Sequence, residues 1–115
     1  RRAGLASQHG WYACANPMSP ASTELHGIVR VDGQGARKEQ YLLPHGDSIS
    51  EPVFVERDSG AAEGDGWLLA VIWRARENRS DLAVFNASDV ASGPAALVKL
   101  DHRVPDGFHG NWVAG

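Results

Sequence analysis

Seven short runs rich in β-branched and aromatic residues, each closed by a turn, leave this chain little choice but sheet. The runs cover residues 11–15, 27–32, 39–43, 52–56, 67–73, 82–86 and 96–100. Ile28-Val29-Arg30-Val31-Asp32 alternates apolar and polar side chains, the period of a strand with one face in water. Residues 67–73 are apolar throughout, which predicts a strand buried on both faces. Between the runs stand breakers with turn chemistry: Asp32-Gly33-Gln34-Gly35, Pro44-His45-Gly46-Asp47, Glu63-Gly64-Asp65-Gly66 and Ser92-Gly93-Pro94. The one helical signal is a turn near residues 88–92. The expected fold class is all-β.

The runs also repeat. Trp11 and Trp67 each follow a Gly, at a separation of 56. Val31-Asp32 and Phe85-Asn86 each close a run at a separation of 54, and Leu43-Pro44-His45 and Leu100-Asp101-His102 do so at 57. Short matching segments come next, Glu51-Pro52-Val53-Phe54-Val55 and His109-Gly110-Asn111-Trp112-Val113. A drifting period near 55 with four strands per period is the signature of a β-propeller blade. The chain then holds three strands of one blade, four of the next and the start of a further innermost strand, about one and a half blades. Open sheet edges would make so small a part unstable or aggregation-prone on its own.

Composition bounds the function. At 115 residues there is room for one small domain, and 43% hydrophobic with 22% charged residues is ordinary for a globular chain. A net charge of -3 offers no electrostatic reason to bind nucleic acid or an anionic membrane. The apolar runs fall far short of the roughly 20 residues a membrane helix needs. Lone Cys14 excludes an internal disulfide and fits a reducing cytoplasm, the expected location. The chain lacks an initiator Met, begins Arg1-Arg2 and stops just past Trp112-Val113, so both ends are expected to continue into a longer protein.

By the repeat, Glu51 and His109 stand at equivalent places, each at the start of an innermost strand, where propeller side chains converge on the central axis. A rigid Pro/Gly turn precedes His109 and fixes its ring direction, which suits a metal ligand. A carboxylate such as Glu51 can accept the far N–H of a metal-bound imidazole and fix its tautomer. Taken alone, each has an ordinary reading: a turn or core histidine, and a solvated charge before a proline. His9, His26, His45 and His102 lie in polar contexts and are expected to face solvent. Cys14 reads as a small buried hydrophobe and Glu63 and Asp65 as a hairpin tip. The chain contains no GxGxxG, P-loop or GxSxG motif.

Three ordered blocks resemble the carotenoid cleavage oxygenase family, which includes apocarotenoid and lignostilbene dioxygenases and the retinal-epithelium isomerohydrolase. Ser50-Glu51-Pro52-Val53-Phe54-Val55 resembles its SEPVFVPR block, and Glu63-Gly64-Asp65-Gly66-Trp67-Leu68-Leu69 its EDDGWLL loop and strand. His102-Arg103-Val104-Pro105 with Gly107-Phe108-His109-Gly110 resembles its HRVPxGFHG block. The likeness is strong over residues 50–113 and loose over 10–50. Asp101 and Glu56 stand where the family has Pro and read as surface variation. Asp106 replaces an aromatic three residues before His109 and bears on the tunnel mouth or faces solvent.

The resemblance implies a seven-bladed propeller of which residues 1–115 are the C-terminal portion, with a non-haem Fe(2+) held on its axis by four histidines. His109 maps onto the last of these and Glu51 onto a carboxylate bonded to a ligand histidine; the other three ligands lie upstream. It implies cleavage of an alkene by O2 into two carbonyl products, the substrate being a carotenoid, apocarotenoid or stilbene in an apolar tunnel shaped in part by Phe108. Phe108 reads equally as a core aromatic under the turn. Peripheral membrane contact would come through parts outside this chain. Two other readings are a propeller serving only as a binding scaffold, and isomerase chemistry on the same iron site. One imidazole and one carboxylate cannot complete an iron site, so the chain alone is expected to be inactive.

Overall fold

The computed structural model describes residues 9–15, 25–105 and 113. Its strands are β1 (His9–Cys14), β2 (Gly27–Asp32), β3 (Arg37–Leu42), β4 (Ser48–Ile49), β5 (Val53–Glu56), β6 (Gly66–Arg74), β7 (Arg79–Asn86) and β8 (Pro94–Lys99). Among the described residues the helical element is one 3-10 turn, Val90–Ser92, at the predicted place. The all-β expectation holds.

All pairing is antiparallel and falls into two sheets. The first has the order β1-β2-β3; the second runs β4-β6-β7-β8, with β5 also on β6. β4 and β5 share one edge of β6 and act as a single broken strand. Val53 comes four positions after Ile49, but their partners Ile72 and Leu69 are three apart, so one extra residue is bulged out between them. β4 has no counterpart among the predicted runs.

The sheets repeat one another in hydrogen bonding. The β2–β3 register shifts between Arg30 and Val31, and the β7–β8 register shifts between Val84 and Phe85, at a separation of 54. The extra residue is Lys38 in β3 and Ala95 in β8, a separation of 57. Both separations match the sequence repeat. The Trp11–Trp67 match slips: Arg30 pairs with Trp11, and its equivalent Val84 pairs with Leu69. Trp11 therefore corresponds to Leu69, two residues along but on the same face.

The core lies between the sheets. Ile28 joins Leu68, Ala70, Ile72, Ala83, Phe85 and Val90 in one buried cluster, with Trp11, Tyr41 and Phe54 packed at the margins. Trp11 stacks on Phe54 at 5.0 Å and donates its indole N–H to the Ala87 carbonyl at 2.9 Å. The Tyr41 ring meets Phe85 edge-on at 5.6 Å. Burial of this one apolar face from each sheet is the main favourable term of the fold.

β6 is not buried on both faces. Leu68, Ala70 and Ile72 are buried, whereas Trp67, Leu69, Val71 and Trp73 are half-buried. The outer face is screened by side chains: the Arg57 guanidinium lies 4.6 Å from the Trp67 ring and that of Arg103 lies 4.5 Å from Trp73. Cation–π contact lets the tryptophans stay apolar at a partly wet surface.

Candidate functional site

Glu51 sits in the bulge between β4 and β5. Pro52 lacks an N–H, so the ladder to β6 has to break there. Ser50 makes good the loss: its N–H donates to the Val71 carbonyl at 2.9 Å and its hydroxyl accepts from the Val71 N–H at 2.9 Å. With Ser50 fixed, the bulge turns Glu51 outward, and its side chain is exposed. Carboxylate Oε2 accepts from the Ala13 N–H on the open edge of β1 at 3.4 Å, a long contact. Among the described residues that amide is the donor to Glu51.

His109, Phe108 and Asp106 lie outside the described residues. The segment leading toward His109 is described as far as Pro105 and is held closely. The Ser80 N–H donates to the His102 carbonyl at 3.2 Å, and Ser80 Oγ accepts from the Val104 N–H at 2.8 Å. Ser80 is fully buried.

The other histidines divide. His45 and His102 are exposed as expected, His102 beside exposed Asp101, whose carboxyl that contact holds below its ordinary value. His9 and His26 depart from expectation and are half-buried. His9 is in β1: its N–H donates to Glu63 Oε1 at 3.3 Å and its ring Nδ1 lies 3.4 Å from Arg30 Nη1. The hairpin tip thus reaches across to the first sheet. His26 Nδ1 donates to the Asp47 carbonyl at 2.8 Å; a carbonyl only accepts, so that nitrogen carries the proton and is not a metal ligand. Cys14 is buried, as its small apolar character predicted.

An ionic cluster of two buried carboxylates and two half-buried arginines closes one end of the second sheet. Arg74 donates to Asp81 at 2.9 Å and to Asp47 at 3.1 Å, while Arg79 donates to the other Asp81 oxygen at 3.1 Å. Asp47 also accepts from the Ala75 N–H at 3.0 Å. Burial pushes the Asp81 carboxyl up, but the bonds and charges of Arg74 and Arg79 outweigh it and hold the group below its ordinary range. The sequence carries no sign of this cluster, because nothing in the spacing of Asp47, Arg74 and Asp81 signals that they meet.

Among the described residues no three His, Cys, Asp or Glu side chains gather as a metal would require. One carboxylate at a sheet edge is chemically suited to accept from a metal-bound imidazole, though not to hold a metal by itself.

A sequence model of the family described as retinal pigment epithelial membrane protein matches residues 1–114. Apocarotenoid-15,15'-oxygenase of Synechocystis is 38% identical over 103 residues, covering 89% of this chain and 21% of that protein. Isoeugenol monooxygenase of Pseudomonas nitroreducens is 52% identical over 66 residues, covering 57% and 14%. Among solved structures, the lignostilbene dioxygenase of Pseudomonas brassicacearum matches at a TM-score of 0.87 and 27% identity, over 97% of this chain and 25% of that one. Cobalt-substituted Synechocystis apocarotenoid oxygenase matches at 0.85 and 30%, over 97% and 23%. The chain thus spans about a quarter or less of each protein it resembles. Its two sheets are part of a β-propeller.

Proposed function

The chain belongs to the retinal pigment epithelial membrane protein family, and on that membership we propose that it is the C-terminal portion of a cytoplasmic, Fe(2+)-dependent dioxygenase that cleaves an alkene C=C bond into two carbonyl products. The substrate is an apolar carotenoid or apocarotenoid, or a phenolic stilbene. In the net reaction the C=C and O=O bonds break and two C=O bonds form, so no outside reductant is consumed. Fe(2+), when bound, supplies the redox chemistry that activates O2 toward the alkene.

This chain's part in that reaction is to hold and orient. The neutral imidazole of His109 is one of the iron ligands. Glu51 accepts the distal N–H of a ligand histidine on Oε1, which fixes that ring's tautomer and raises its basicity. Its negative charge also offsets part of the dicationic charge that an all-histidine ligand set leaves uncompensated. Phe108 contributes to the apolar wall that keeps water from the reacting bond. The observation that carries this reading is the bulge at Ser50–Pro52, which turns an exposed carboxylate away from its own sheet and toward the edge of the neighbouring one.

The test is product analysis of the full-length protein with labelled O2 and a panel of apocarotenoids, isoeugenol-type phenols and stilbenes. Dioxygenase chemistry places label in both carbonyl fragments. An isomerised product without label, or no turnover in an iron-loaded protein, would sink the proposal.

A further inference from the structure

The repeat reaches beyond the strands into the segments that leave them. The Leu43 N–H donates to the His26 carbonyl at 2.8 Å, and the Leu100 N–H donates to the Ser80 carbonyl at 2.9 Å. His26 and Ser80 are 54 apart and Leu43 and Leu100 are 57 apart, the same separations that relate the two bulges. A second bond then leaves each of these residues through its side chain. His26 Nδ1 donates to the Asp47 carbonyl at 2.8 Å, and Ser80 Oγ accepts from the Val104 N–H at 2.8 Å. Asp47 and Val104 are again 57 apart. Different chemistry makes the same link in each sheet.

Just beyond each link lies a residue of the proposed iron site: Glu51 comes four residues after Asp47, and His109 five after Val104. We propose that His26 and Ser80 are positioning residues, each latching the segment that carries one of these two groups. This rests on the reading of His109 and Glu51 given above.

The physical case is one of restricted freedom. Past Leu43 and Leu100 the chain leaves its ladder; after Leu43 it rejoins a sheet at β4, and after Leu100 the Ser80 N–H still holds the His102 carbonyl at 3.2 Å. A side-chain bond at Asp47 sets where the chain enters β4, ahead of the two bonds that Ser50 makes to Val71, and one at Val104 adds a fixed point to the segment that leads toward His109. At Val104 the following Pro105 confines the backbone to extended conformations, so the direction in which the chain leaves the latch is set as well. At Asp47 the side chain adds two fixed points of its own, Arg74 and the Ala75 N–H. Removing the Ser80 hydroxyl leaves the Val104 N–H without its acceptor and frees the segment as a whole.

The measurement is iron retention by the full-length protein in competition with a chelator, well below the melting temperature. Ser80→Ala should weaken iron binding on the order of tenfold, the low end for groups that support a metal ligand. Ser80→Thr keeps the oxygen and should recover most of it. His26→Leu should act more weakly, through Glu51, and His26→Asn, whose amide nitrogen stands where Nδ1 does, should reverse it. Val90→Ala is the control: it opens the buried core under the 3-10 turn, and should lower the melting temperature with iron unchanged. Parent-like iron affinity in both Ser80→Ala and His26→Leu overturns the proposal, as does loss of iron in Val90→Ala to the same extent. If Ser80→Ala does not fold, the His26 pair decides alone. Iron retained by His109→Ala, or none in the parent, overturns the functional reading and this proposal with it; iron lost in His109→Ala but kept in both Ser80→Ala and His26→Leu overturns this proposal alone.

Discussion

The first sheet and the second share a backbone plan and differ in charge. Both shift register at equivalent residues, Arg30/Val31 and Val84/Phe85, and both tie their third strand back through Leu43 or Leu100. Among the described residues the second sheet carries an Arg–Asp cluster at Asp47, Arg74, Asp81 and Arg79, where the first has an Arg30–Glu39 pair, and its broken inner strand presents Glu51. At the place of Asp81 the first sheet has Gly27, again at a separation of 54. The hydrogen-bond frame is therefore the part that repeats. The charged groups differ: the second sheet adds its ion pairs at one end and Glu51 at the break in its inner strand.

The sharpest way to break this contrast is to remove its charge. Asp81→Ala strips Arg74 and Arg79 of the buried carboxylate they share, leaving them Asp47 and Glu77, and should destabilise the full-length protein by about 2–3 kcal/mol, measured by denaturant unfolding. His26→Asn, at the matching end of the first sheet, should stay below about 1 kcal/mol because its bond survives. The Asp81 effect carries a pH signature. A carboxyl held below its ordinary value contributes stability that is complete above that value and lost as pH falls through the lowered one. The melting-temperature gap between parent and Asp81→Asn should thus be full at neutral pH and close only well below pH 3.8. A gap that closed on raising the pH would contradict the pairing.

Two glycines at different places in the frame sit in equally tight contacts. A Cβ at Gly27 would lie 2.3 Å from the Tyr41 carbonyl oxygen, and one at Gly66 would lie 2.2 Å from that of Val55. Neither backbone can yield without disturbing its ladder, so Gly27→Ala and Gly66→Ala should each cost about 1–3 kcal/mol. A cost near zero at either position, measured by denaturant unfolding, would show that its backbone yields. The smallest effect lies on the outer face of β6. Arg57→Ala uncovers Trp67 at a surface position and should cost about 0.5–1 kcal/mol in the same unfolding measurement.

The strands were legible because their signals are local. Alternation in 28–32, the turns Asp32-Gly33 and Ser92-Gly93-Pro94, and the separations of 54 and 57 are all read along the chain, and each has its counterpart in the structure. β4 was not legible: two residues carry no period, and they are in the sheet because Ser50 holds the bulge beside them. β6 looked buried on both faces because sequence shows a side chain's polarity and not what covers it; Arg57 and Arg103 come from other parts of the chain. His26 looked like a polar-loop residue for the same reason, since its partner Asp47 is 21 residues away. Glu51 could be singled out from its motif and repeat position, but its contact with Ala13 spans 38 residues and no pattern announces it.

The central claim is that His109 binds iron in the assembled propeller with Glu51 in support. It is tested most directly by the iron content of the purified full-length protein beside His109→Ala, Glu51→Gln and His45→Ala. The expected result is one iron per parent chain, none in His109→Ala, a reduced amount in Glu51→Gln and the parental amount in exposed His45→Ala. Full iron in His109→Ala, with the fold intact by circular dichroism, would contradict it.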